Sequence, residues 1–555
     1  MTFDLVIRGG SVVDGSGLGR FRADVGVNGD RITAIGRIRS RGRTEVDAEG
    51  HVVTPGFIDG HTHLDAQFFW DPLGTNSCWH GVTTVVMGNC GFTLAPSSEA
   101  DAPLVVRNLE RAEDISGAAM AAGITWSWTT FPEYLDTLDR LPMGINCAAN
   151  IGHSALRTYV MGERAFTDRA TDDDLAAMRA QLVDALDAGA IGFTSSRTHH
   201  HRTSDDRPVA SRIADWSEVD HLVRTMGERG AGIFQLVEDP AEPDRAEARR
   251  DERIALSAES GVAFAVGATS NSARVLPMLD LCAERDGRMV GLAHCRGIGT
   301  MSSFRSQLPF DRLPVWRELR ALPLEEQRSR LADDELVAAL VRSAHTSVYP
   351  DAVGGEARPP DFARMRVLDA PVPPNPTVAE AAAARGIDPV ELVIRLSLES
   401  DLSRFFVQTL SPFDHDDIKR ILGHPHTVMA FSDSGAHVSQ MSDASIQTHL
   451  LAHWVRDTGE FSFEDAVRML TLAPARAWGF HDRGMVRVGL KADLNVIDPA
   501  TVAPAMPRVV HDLPAGEPRL DQRSVGIRAT VVAGQVLTLD GQPTGALPGR
   551  LLRMS

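Results

Sequence analysis

Residues 55–65 read Pro55-Gly-Phe-Ile-Asp-Gly-His61-Thr-His63-Leu-Asp65. An apolar run at 53–58 leads into this stretch, and two histidines follow it, two positions apart. In extended chain, side chains at i and i+2 share a face. His61 and His63 can therefore turn toward one ion, and imidazole suits zinc, iron or manganese. A His-x-His pair alone carries little information. Directly after the first strand of an alternating α/β chain it points to a metal site at a barrel mouth.

The rest of the chain supplies that alternation. Further apolar, β-rich runs lie at 82–89, 145–151, 190–195, 231–237, 261–268, 289–294 and 427–432, with helical patterns such as 172–188 and 216–229 between them. With 53–58 they make eight, the count of a distorted (β/α)8 TIM barrel of the α/β class. An open, doubly wound sheet is the architectural alternative. Short strands at 4–13, 24–28 and 31–36 are matched by others at 493–498 and 528–538. The two ends are expected to pair into one small β-sandwich, from 1–54 and 480–555, around a barrel domain at 55–479. The helix-rich stretch 296–400 separates strands seven and eight and is expected to be an insertion over the barrel mouth.

Composition narrows the class. The chain has 555 residues, a formal charge of −18, 43% hydrophobic and 23% charged residues. This is ordinary globular usage. No apolar run approaches the roughly 20 residues of a spanning helix, and an acidic surface argues against nucleic acid. The five cysteines include no CxxC pair, and the start carries no basic and apolar leader. Both point to a reduced, cytoplasmic setting, with a small molecule as partner and a homo-oligomer left open. Of 56 basic residues only Lys419 and Lys491 are lysine.

Three more strand ends carry chemistry. Asp433, in Phe431-Ser-Asp-Ser-Gly-Ala-His437, follows strand eight. Its carboxylate can bind a metal and hold the proton of an attacking water; a helix N-cap is the structural alternative. Cys90, in Gly88-Asn-Cys-Gly91, follows strand two and is read as a metal thiolate rather than an inert buried thiol. His153 follows strand three and is expected to orient substrate or polarise a carbonyl. Arg157 and Arg197, near strand ends, are candidates for gripping a substrate carboxylate through paired hydrogen bonds. The run His199-His200-His201 cannot share one strand face, so it is read as a loop at the barrel mouth. His437 is expected to stand behind Asp433.

In this order the motifs resemble the amidohydrolase superfamily, specifically its D-aminoacylase-like (N-acyl-D-amino-acid deacylase) branch. The resemblance rests on DLVIRGGSVVDGSG, PGFIDGHTHLD, HGVTTVVMGNCGF, NIGHSALR, AIGFTSSRT, MAFSDSGAH and LTLAPARAWGFHDRGMVRVGLKADLNVID. It implies His61, His63 and Asp433 as metal ligands, Asp433 as general acid and base, and Cys90 as the cysteine ligand. A bridging lysine carbamate, common in the superfamily at strand four, is excluded, because residues 194–197 there read Thr-Ser-Ser-Arg. The branch also expects histidine at the ends of strands five and six. Here those ends read Phe234-Gln-Leu-Val-Glu238 and Gly267-Ala-Thr-Ser-Asn271. Gln235, Glu238 and His294 are the residues that would partly compensate, and Gln235 and His294 are also expected to face substrate. One zinc ion is expected, with two ions, iron or manganese as alternatives. The expected reaction is hydrolysis of the amide of an N-acyl amino acid or related small amide. A deaminase, a lactone or cyclic-amide hydrolase, and a binding protein with a degenerate metal site are the alternatives.

Overall fold

The computed structural model describes residues 2–238, 243–410 and 414–554. Eight parallel strands, Phe57–Asp59, Val82–Met87, Asn146–Gly152, Gly192–Ser196, Ile233–Val237, Ala263–Ala268, Met289–Ala293 and Thr427–Met429, are hydrogen-bonded in chain order. Strands one and eight approach each other just beyond their C-terminal ends. There Thr62 bridges Ser434, His63 N–H donates to Ser434 O at 2.7 Å, and Asp433 N–H donates to His61 O at 3.1 Å. The seam is thus made by the same segments that carry the histidine pair and the aspartate.

The strand alternation explains the two layers. Ile58, Val86, Ala148, Ile233, Ala265, Leu292 and Val428, one from each of seven strands, pack inside the barrel. Phe193, Phe234 and Phe264 are neighbours in register on strands four to six, with ring centroids 5.5 and 5.0 Å apart. They belong to the larger outer core, which the surrounding helices share. Ile233 and Gln235 therefore face inward while Phe234 between them faces outward, the period-two consequence of an extended chain.

The run at 53–58 divides. Val52–Pro55 joins the terminal sheet and Phe57–Asp59 opens the barrel, with Gly56 between. A Cβ on Gly56 would sit 2.1 Å from Thr83 Oγ1, so only glycine fits this crossing. The terminal sheet has nine strands. Its centre is the antiparallel pair Val52–Pro55 and Leu494–Ile497, which joins strands from the two ends of the chain. The residues expected as a single segment at 528–538 form a hairpin, Ile527–Val532 and Gln535–Leu539.

Between strands seven and eight, helices Pro314–Arg320, Leu324–Arg330, Asp334–Thr346, Val378–Arg385 and Pro389–Glu399 enclose a separate core around Phe310, Trp316, Leu340 and Phe406. A turn of this insertion reaches back over the barrel. Glu356 pairs with Arg111 at 2.8 Å, and Gly355 packs so close to His437 that a Cβ would meet its Nδ1 at 2.9 Å. Both lysines lie away from the barrel ends, paired with Glu460 and Asp30. All five cysteines are free and buried. Among the described residues no helix is long and apolar enough to cross a membrane.

Candidate metal centre

His61 and His63 emerge from strand one with their rings turned into the barrel mouth, both almost fully buried. Asp433 Oδ1 lies 3.1 Å from His61 Nε2 and 3.6 Å from His63 Nε2. Cys90 Sγ lies 3.4 Å from His61 Nε2. Ligands held about 2.0–2.3 Å from a tetrahedral ion stand roughly 3.3–3.8 Å from one another. His61, His63 and Cys90 offer ligand atoms within 4.8 Å of one another, Asp433 stands beside the two histidines, and this nitrogen, sulfur and oxygen chemistry suits zinc. His63 Nε2 and Asp433 Oδ1 are buried without a well-aligned hydrogen-bond partner. Groups in that state are costly unless a cation completes them. The residues present fit a metal.

The backbone is bent to deliver them. Cys90, Asp433 and His437 all take left-handed conformations, with φ of 58°, 52° and 48°. Such residues cost about 1–3 kcal/mol each and persist where surrounding contacts hold them. Those contacts are present. Cys90 N–H donates to Gln235 Oε1, Gly91 N–H to Thr194 Oγ1, and Asn89 Nδ2 to Thr62 O and Val86 O. Asp65, at the end of the opening motif, accepts from Gly88 N–H, and burial raises its carboxyl to about 7.

The electrostatics follow the same geometry. Burial alone would raise the Asp433 carboxyl, but the two imidazoles beside it outweigh burial and hold it well below the usual range. Burial lowers His63 to about 4, so this ring is neutral and its Nε2 is a free donor at neutral pH. Burial pushes the Cys90 thiol well up. A coordinated cation is what makes such a thiol a thiolate.

Three further groups stand beside these donors. Glu113, on the segment after helix Ala102–Leu109, is buried, with its carboxylate 3.7 Å from His63 Nε2, 3.7 Å from His201 Nε2 and 3.6 Å from His437 Nε2. Ligand atoms of His61, His63 and Cys90 lie within 4.8 Å of one another, and so do those of Cys90, Glu113 and His201. Cys90 belongs to both groups.

A model of the amidohydrolase family matches residues 44–538. The chain is 31% identical to the D-aminoacylase of Alcaligenes xylosoxydans xylosoxydans over 99% of its own length and 97% of the relative's. The chain belongs to the amidohydrolase family. It is a metal-dependent hydrolase of C–N bonds other than peptide bonds. Its fold matches an N-acyl-D-glutamate deacylase of Bordetella bronchiseptica, solved with zinc and a phosphonate mimic of the tetrahedral intermediate, with a TM-score of 0.67, 28% identity and full coverage of both chains. It also matches a D-aminoacylase described as having a binuclear metal centre, with a TM-score of 0.66, 26% identity and full coverage of both chains.

In this amidohydrolase the other candidates separate from the metal donors. His153 uses both ring nitrogens, Nδ1 with Ser195 Oγ at 2.9 Å and Nε2 with Glu218 Oε1 at 2.8 Å. Arg157 is fully buried, donating to both oxygens of Glu218 and to the Asp168 carbonyl. Both were expected to face substrate, and in the structure both pair with Glu218. Arg197 donates to the Ala214 carbonyl at 2.7 Å. Gln235 faces inward as expected but supports the Cys90 backbone, and Glu238 pairs with Arg253 at 2.7 Å. His294 lies 3.5 Å from Asp443, which lines a small cavity of about 20 Å³ shared with Asp433.

Glu113 was not singled out from sequence. It sits in Glu110-Arg-Ala-Glu-Asp114, a polar segment with no motif. His201 was read as part of a mouth loop, and the structure turns its ring toward Glu113.

Proposed function

We propose that the chain hydrolyses the amide bond of an N-acyl amino acid, with Asp433 handling the proton. The observation that carries this reading is the Asp433 carboxylate, 3.1 and 3.6 Å from the histidine pair. Zinc is the ion that best suits the donors His61, His63, Cys90 and Asp433. When bound, a divalent cation supplies Lewis acidity, polarising the carbonyl and acidifying water. Asp433 is placed to accept the proton of the attacking water and to return it to the departing nitrogen. Asp59, buried behind the pair, accepts from His61 N–H and from Gln447 Nε2, and so fixes the backbone that aims His61. The relatives named D-aminoacylase and N-acyl-D-glutamate deacylase support an amide substrate of this class.

Asp443 also lines a second, larger cavity of about 320 Å³, walled by Met301, Leu368, Pro373 and Val407. A mainly apolar wall next to the Asp433 cavity supports an apolar acyl group on the substrate. Asp433→Asn keeps the shape and removes the proton acceptor. Turnover of N-acyl-D-amino acids should fall by about 10²–10⁴-fold, with the unfolding temperature of the loaded protein held within a few degrees. Retention of wild-type turnover by this variant would sink the assignment.

A further inference from the structure

We propose that Gln522, carried to the barrel mouth by the C-terminal segment, and His449 form a hydrogen-bonding end to the larger, mainly apolar cavity, and that they select a substrate whose acyl group is uncharged and carries a hydrogen-bond donor. The proposal rests on the amide-hydrolase reading above and names the kind of acyl group that reading leaves open.

Three parts of the chain build this cavity of about 320 Å³. Strands Gly299–Ser302, Phe406–Thr409 and Arg366–Val367 of the insertion form one small sheet, in which Met301 lies opposite Val407. The second part follows strand eight and supplies Ser442, Asp443 and His449. The third is the C-terminal hairpin Arg508–Val510 and Arg519–Asp521 with the residue after it. Leu520 packs with Met301 and Phe405, and its N–H donates at 2.7 Å to the carbonyl of Val438, on the turn after Asp433. Two residues on, Gln522 donates from its backbone N–H to Asn76 Oδ1 at 3.1 Å and from Nε2 to the Ala505 carbonyl at 2.8 Å. His80 joins this segment to the neighbour of His449. Its Nε2 donates to the Gln522 carbonyl at 3.0 Å, and its Nδ1 meets Thr448 Oγ1 at 2.7 Å.

Gln522 and His449 both line the cavity, and each is 3% exposed. Gln522 Oε1 and His449 Nδ1 have no hydrogen-bond partner among the described residues. Buried polar atoms in that state are costly, and a ligand that completes them removes the cost. The amide nitrogen of Gln522 is spent on Ala505, so the oxygen left over asks for a donor. Burial holds the His449 ring well below its usual range, so at neutral pH it is uncharged. The charged residues of the lining add little net field. Arg296 gives Nε and Nη2 to Asp443 Oδ1 at 3.2 and 2.8 Å, so this cation and this anion offset each other. Arg366 lies exposed at the edge and donates to the Asn375 carbonyl at 2.6 Å. A hydroxyl suits such an end, since it can donate to Gln522 while accepting from His449. An apolar cavity of roughly 150 Å³ holds benzene, so about 320 Å³ has room for an aryl ring that carries the hydroxyl.

The test varies one group on one ring. The zinc-loaded, full-length protein is assayed on D-leucine bearing a phenylacetyl, 4-hydroxyphenylacetyl or 4-carboxyphenylacetyl group. The hydroxyl should raise kcat/KM about tenfold or more over the plain ring, and the carboxylate should fall below the plain ring. In Gln522→Leu and in His449→Phe the ratio of hydroxylated to plain substrate should drop toward one. Variants that lower both substrates together at the wild-type ratio would show packing alone and overturn the proposal. A wild type that favours the carboxylate, or treats all three alike, overturns it as well. Isothermal titration of the same protein with 4-methylphenol and with toluene needs no turnover and separates the two readings. Binding of 4-methylphenol about tenfold tighter than toluene, lost in Gln522→Leu, with none of the amides hydrolysed, supports the cavity assignment and rejects the amide reading. Equal binding of the two, with the amides hydrolysed, rejects selection by Gln522 and His449 and leaves the amide reading standing.

Discussion

At the residue scale, single atoms set the shape of the mouth. Gly435 has φ +94°, and a Cβ there would fall 2.5 Å from the carbonyl carbon and oxygen of His63. Backbone cannot yield as a flexible side chain can. Gly435→Ala should therefore cost about 1–3 kcal/mol and displace His63, so thermal unfolding should drop and metal should leave at lower chelator concentration. Gly60 is constrained by Trp478, whose ring a Cβ would meet at 2.1 Å. Residues of this kind explain what was readable. His61, His63, Cys90 and Asp433 sit at strand ends, where a two-residue period and flanking glycines mark them. Glu113 carries no such mark, because its position depends on Ser439 and His437 capturing the segment from far along the chain. The ring of His201 is selected from three adjacent histidines by Ser196, which no local pattern announces.

At the scale of elements, helix His153–Met161 ties the chemistry-bearing residues of its motif to a neighbouring helix. Its first residue and Arg157 both bind Glu218 of helix Trp216–Arg229. A lone histidine at a strand end reads the same in sequence whether it faces substrate or a partner helix. Removing one member of a buried charged set leaves the other unpaired, at about 3–5 kcal/mol. Glu218→Gln should destabilise on that scale in denaturant titration, and Glu218→Gln with Arg157→Met should recover part of the loss. The pH dependence has a defined sign. Burial alone would raise Glu218, but His153 and Arg157 hold it down at about 2 against an ordinary 4.5. The native state thus resists protonating it, and its stabilisation is complete above pH 4.5 and lost as pH falls toward 2. Burial also lowers His153, whose contribution fades in acid as well. The stability gap between wild type and Glu218→Gln should close over that range; a gap that widened in acid would contradict the network.

At the scale of the molecule, all eight barrel strands were legible because buried parallel strands alternate with helices. The division of 53–58 between two sheets was not, since it depends on Leu494–Ile497 arriving beside Val52–Pro55. The insertion was visible as a length anomaly, but its turn over His437 was not, because it is fixed by a pair as distant as Arg111 and Glu356. Metal should bear on the whole fold. An ion that binds only the native state stabilises it by about 2.7 kcal/mol at a hundredfold excess over its dissociation constant. Chelation should lower the unfolding temperature and speed amide exchange first at 61–65 and 431–437, where strands one and eight meet. Uniform acceleration across the barrel would argue against a local seam.

That seam bears on how the protein is made. His61 emerges from the ribosome early and Asp433 late, and the backbone bonds that close the barrel form only when both are present. A partly synthesised or truncated chain therefore holds the histidine pair without the carboxylate that stands beside it. Under the role proposed for Asp433, activity arrives together with completion of the ring, and turnover is itself a report that the last barrel strand has docked.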